Sequence, residues 1–148
     1  MKLIMTSVLV LLCFSLAAIA SENEAAATAI FQKAMSECKG VDGGEFDSTE
    51  KTPTLHDLTG DGRPEEIVDV SQFSCSTAAS LWGGSAGTYL WAIVDGKAYE
   101  FLAHRWKVVD MDGQNILLLA VHSSECSDEI GPCYRAVVWG DEGFRTIR

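Results

Sequence analysis

The sequence predicts an α+β fold: an N-terminal amphipathic helix packed on an antiparallel meander sheet and stapled by disulfides. Three observations carry that prediction. An alanine-rich stretch repeats apolar residues at helical spacing. After Thr52 the chain falls into short apolar runs broken by closely spaced turn residues. Four cysteines, an even number, remain once an apolar leader is set aside.

The leader spans residues 1–20. Lys2 gives a positive start, Leu3 to Ile19 is almost wholly apolar, and Ala18-Ile19-Ala20 has the small-x-small form of a cleavage site. It reads as a signal peptide, short for a membrane span, and no second run is long enough for one. Cys13 follows Leu11-Leu12 with no small residue beside it, which argues against a lipid anchor. The expected location is periplasmic or secreted, with no membrane contact after cleavage. Residues 21–148 form one globular domain of 128 residues, enough for a proper core. Taking Lys2 from 11 cations leaves 10 against 21 acids, a net charge of −11. Such a chain repels nucleic acid and anionic membranes, and suits cations or a basic protein partner.

The first element is a helix over 21–39. Ser21 and Glu24 have capping-box spacing. Ile30, Phe31, Ala34, Met35 and Cys38 form one apolar stripe, and Gly40 stops the helix. A partner-binding helix would show the same stripe, but a domain of this size must bury such a face on its own sheet. Strands follow at 52–56, 66–73, 89–94, 97–102, 106–109, 116–122, 134–139 and 144–147. The first two flank an acidic loop. Tyr89 to Val94 is apolar on both faces and should be central. Asp95-Gly96 is a two-residue hairpin turn. Turns this close together join antiparallel neighbours, not crossovers. Residues 75–88 are rich in small residues and read as a loop carrying Trp82.

Cys38, Cys75, Cys126 and Cys133 admit three pairings. Cys126 with Cys133 is preferred, because it closes a short loop holding Gly131-Pro132; that leaves Cys38 with Cys75. Zinc is the competing reading, since His122 lies four residues before Cys126. There is no CxxC knuckle, however, and an exporting compartment favours oxidation.

The acidic loop, Asp57 to Glu66, reads D-x-T-x-D-G-x-x-E. Side-chain oxygens of Asp57, Thr59, Asp61 and Glu65, with the carbonyl of Arg63, are the kind of donors Ca²⁺ takes. An EF-hand would close with Glu at position 12, where this chain has Val68. A solvated Asp/Gly turn is the plainer alternative. The loop resembles the calcium loops between strands of FG-GAP and VCBS repeats, over about ten residues and once. Thr59 stands where those loops have Asp or Asn, and Glu65 where they favour Asp. More loosely, the chain after the leader resembles small exported bacterial proteins of unassigned function, in which such a loop precedes a cysteine-bearing strand. If the loop binds Ca²⁺, a ligand set this poor gives an affinity of ~10⁻⁴–10⁻³ M and a structural role, locking the turn between two strands; the second resemblance implies no activity.

Gly83-Gly84-Ser85-Ala86-Gly87 matches the G-x-S-x-G nucleophile elbow, which would make Ser85 the nucleophile of a small serine hydrolase. That motif needs a strand-to-helix turn over a parallel sheet, and here a strand follows. The carboxylate pairs Glu65/Glu66, Asp110/Asp112, Asp128/Glu129 and Asp141/Glu142 sit at turns, where acids are common for backbone reasons. His56, His104 and His122 show no metal spacing. Trp91 and Trp106 fall in strand alternation and should pack in the core, whereas Trp82 should be partly exposed. Ser85-Ala86-Gly87-Thr88-Tyr89 resembles the S-G-x-x-Y loop that periplasmic lysozyme inhibitors present to a basic enzyme, with Ala86 where that motif has Gly. The expected function is a monomeric exported binding module without catalysis, its contact residues Trp82, Ser85 and Tyr89. The alternative is an inhibitor of a basic hydrolase such as lysozyme.

Overall fold

The computed structural model of the chain describes residues 3–126 and 133–147, with side chains from Glu22 onward. The side chains of residues 1–21, Gly131-Pro132 and the Asp128/Glu129 pair lie outside them. The described chain is one helix followed by antiparallel strands, an α+β arrangement. The helix, α1, runs Leu3–Gly40, so Ser21 lies within it instead of capping it. The strands are β1 (Phe46–Ser48), β2 (Thr54–His56), β3 (Glu65–Asp69), β4 (Phe73–Cys75), β5 (Gly83–Gly84), β6 (Gly87–Val94), β7 (Lys97–Ala103), β8 (Arg105–Met111), β9 (Gln114–Val121), β10 (Cys133–Gly140) and β11 (Gly143–Ile147).

The meander does not lie in one sheet. One sheet has β2-β3-β6 with β7 on the far side of β6 and β5 at its start; the other has the order β11-β10-β9-β8. The chain passes between them at His104, whose N–H donates to the Ala120 carbonyl at 2.7 Å. A single sheet of this many apolar strands would leave one face uncovered. Folding it over buries Ile67, Leu90, Ala92 and Ala103 against Leu117, Leu119, Val121 and Val137. The outer face of the first sheet is then covered by α1, with Ala27 on Val68 and Ile93. The layers are therefore helix, sheet, sheet.

β6 is central, between β3 and β7, as its two apolar faces require. Asp95-Gly96 and Asp112-Gly113 both turn with positive φ at both residues, the mirror-image turn that matches strand twist. The strand expected from Glu66 to Phe73 breaks at Asp69. There the Asp69 carboxylate accepts from the Ser71 N–H at 2.9 Å and caps a one-turn 3₁₀ helix, Val70–Gln72. The chain then re-enters as β4, which pairs with β1 in a separate two-stranded ribbon.

Both disulfides form as preferred. Cys38–Cys75 ties the end of α1 to β4, with Cα atoms 5.6 Å apart. Cys126–Cys133 closes the β9–β10 connection. Among the described residues no helix is long and apolar enough to cross a membrane.

Candidate functional site

The acidic loop joins β2 to β3. Asp57 accepts from the amides of Gly60 (2.7 Å) and Gly62 (3.0 Å), which closes the turn; both glycines have positive φ. Glu65 is only 6 % exposed, and one carboxylate oxygen accepts from the amides of Leu58 (2.6 Å) and Thr59 (3.2 Å). Burial pushes its pKa up, opposed by those two amides and reinforced by the charges of Asp61 and Asp57. Asp61 lies outside, paired with the Arg63 guanidinium through Nε at 2.8 Å and through the terminal nitrogen. That hydrogen bond holds the Asp61 carboxyl below its usual range, and the same pair raises Arg63.

The residues expected to hold Ca²⁺ are thus neighbours, but their oxygens face different partners. Asp57 faces loop amides, Glu65 faces inward and Asp61 faces a cation already present. Among the described residues no three acidic, histidine or cysteine side chains gather as a metal group.

The other expected site lies where 75–88 crosses the end of α1. Trp82 is half-buried. Its indole N–H donates to Glu37 of α1 at 2.8 Å, and its ring meets Phe46 and Phe73 edge-on at 5.7 and 5.8 Å. Phe73 also packs on Phe31, 4.9 Å between centroids. The tryptophan therefore fastens its loop to the helix as well as presenting an edge to solvent. Ser85 and Ala86 form the exposed tip of the β5–β6 hairpin, between the pairs Gly83↔Thr88 and Gly84↔Gly87. Gly87 has φ +114°, and a Cβ there would lie 2.6 Å from the Ala103 carbonyl carbon, so this position needs glycine. Tyr89 follows on β6 and is 41 % exposed. Trp82 and Tyr89 line one groove of about 650 Å³ between α1 and the sheet, with Ile30, Phe73 and Trp91 in its walls.

The G-x-S-x-G stretch is thus a strand-to-strand hairpin. Among the described residues Ser85 hydrogen-bonds neither histidine: the ring of His122 contacts the hydroxyl of Ser124 at 2.9 Å, and His104 is its closest ring neighbour, 6.3 Å between centroids. His56 stands edge-on to Trp106, 5.5 Å away, whose indole N–H donates to Asp69.

Three residues that were not among the expected ligands or contacts shape this region. Asn23 is buried and accepts from the Gly96 N–H at 2.7 Å, pinning α1 to the β6–β7 hairpin. Glu37 holds Trp82. Glu66 is half-buried, and burial, then the charge of Glu24, raise its pKa. Their partners lie far along the chain, so no local pattern announces them. Comparison of the chain with protein-family models, with curated proteins and with solved structures finds no match.

Proposed function

We propose that this chain is an exported, non-catalytic binding module that holds a basic protein partner at the edge formed by α1 and the β5–β6 hairpin. The observation that carries this reading is the meeting of Trp82 and Tyr89 in one apolar groove beside exposed Ser85. Aromatic anchors next to a polar tip are the usual centre of a protein contact. The acidic balance of the chain supplies attraction for a basic partner. Two disulfides and the apolar leader support export to an oxidising compartment. A photocrosslinking residue at Ser85, in cells expressing the protein, should trap a basic protein, and one at Glu142 should not. Equal adducts from both positions, or none from Ser85, sink the reading.

Inhibition of a basic hydrolase is the specific second reading, favoured by Ser85 at an exposed hairpin tip four residues before exposed Tyr89. Titrating a lysozyme with the protein while following cell-wall lysis tests it. The rate should fall, and Tyr89→Ala should restore it.

In the same reading the Asp57–Glu65 loop is structural, and Ca²⁺ competes with Arg63 for Asp61. Arg63→Ala should therefore tighten Ca²⁺ binding, read as amide shifts at Gly60 and Gly62. Flat shifts to millimolar Ca²⁺ in both proteins would remove the ion from the account.

A further inference from the structure

A second groove, of about 710 Å³, runs along the other flank of α1, toward the free edge of β2. Its floor is apolar: Ala27 and Phe31 from the helix and Leu55 from the edge strand. Leu55 is 62 % exposed, high for a leucine on a strand. Its rim is acidic, with Glu24, Glu66 and Asp95. Arg63 also lines it, but that guanidinium is held by Asp61. Among the described residues neither Glu24 nor Glu66 forms an ion pair.

We propose that this groove receives a lysine or arginine side chain of the partner, its stem on Phe31 and Leu55 and its cationic head between Glu24 and Glu66. The inference deepens the reading of the chain as a module for a basic partner, and rests on it. The groove's chemistry selects that occupant. A purely apolar guest would cover two like charges and leave them unpaired, which costs free energy. A second copy of this chain brings a net charge of −10 to −11 to an acidic rim and is repelled. Lysine and arginine alone combine a long aliphatic stem with a cationic head. Their charge also relieves the repulsion between Glu24 and Glu66.

The test uses the isotopically labelled, disulfide-bonded protein and a blocked Gly-Leu-Lys-Leu-Gly peptide, with norleucine replacing lysine as the control. The lysine peptide should shift the amides of Glu24, Leu55 and Glu66. It should bind about tenfold more tightly than the control, the worth of one hydrogen bond to a charged group. The double variant Glu24→Gln with Glu66→Gln, checked for an unchanged circular dichroism spectrum, should abolish that preference. Equal binding of the two peptides, shifts confined to Trp82 and Tyr89, or no shifts at millimolar peptide would each overturn the proposal. So would movement of the same amides with protein concentration alone, which would put a second copy in the groove. None of these outcomes bears on crosslinking from Ser85, which reads the opposite flank of the helix.

Discussion

At Glu66 two physical effects act in the same direction. Burial and the nearby charge of Glu24 both favour the protonated form, so the folded chain holds this proton more tightly than the unfolded chain, whose value is near 4.5. Ionised Glu66 therefore costs stability at neutral pH, and the cost is relieved as the pH falls through the raised folded value toward the unfolded one. Glu66→Gln should stabilise the protein by about 0.2–0.5 kcal/mol at neutral pH, the scale of an exposed like-charge pair. Urea melts should show that gain shrinking as the pH approaches roughly 4. A gain independent of pH would mean that charge is not its cause. Asp61 runs the other way: Arg63 lowers its pKa, so its contribution is present above the unfolded value of 3.8 and is lost as the pH falls through the lowered one. The acids of the loop were legible in the sequence because D-x-T-x-D-G is a local pattern. Which of them faces inward was not, because the inward turn of Glu65 depends on where β3 enters the sheet.

Among the elements, α1 is fastened at two points. At its end the Cys38–Cys75 disulfide spans 37 residues. Loop-closure entropy puts its worth at about 3–4 kcal/mol, against about 2 for the seven-residue Cys126–Cys133 loop. Replacing Cys38 and Cys75 by serine should therefore lower the urea midpoint more than replacing Cys126 and Cys133. Earlier along α1, Asn23→Ala should cost about 1–3 kcal/mol, because the Gly96 N–H loses its buried acceptor. Amide exchange at Gly96 should quicken in that variant more than at Gly113, a like turn that does not touch the helix. The Asp95-Gly96 hairpin was legible because its signal lies within two residues, and so was most of the helical stripe, with Ala34 and Cys38 buried; Met35, counted in that stripe, instead lies 45 % exposed. The β1–β4 ribbon and the 3₁₀ turn after Asp69 were not. Three-residue strands carry too little alternation to stand out, and Asp69-x-Ser71 reads equally well as strand.

For the whole molecule the bend at His104 matters most, since it turns a meander into two facing sheets with a shared interior. Leu117, 1 % exposed, sits in that interior. Leu117→Ala should cost about 2–5 kcal/mol and destabilise both sheets together. Tryptophan fluorescence and circular dichroism should then report one coincident transition, whereas separate midpoints would make the sheets independent units. The sequence showed the longer apolar strands, though not the short β1 and β5 or the break before β4, and that neighbours were antiparallel, but a fold-over is a long-range event with no turn signature at Ala103-His104-Arg105. For the proposed contact region, Trp82, Ser85 and Tyr89 stood out as residues in the sequence, while the groove joining two of them needed α1 in place. The Asn23–Gly96 bond carries one more implication. If the leader is removed after Ala20, Asn23 becomes the third residue of the exported chain. A cut displaced by only three residues would discard the asparagine and leave the hairpin amide bare. The domain would then discriminate between correctly and incorrectly trimmed copies through its own stability, and a clearing protease would remove the misprocessed ones first.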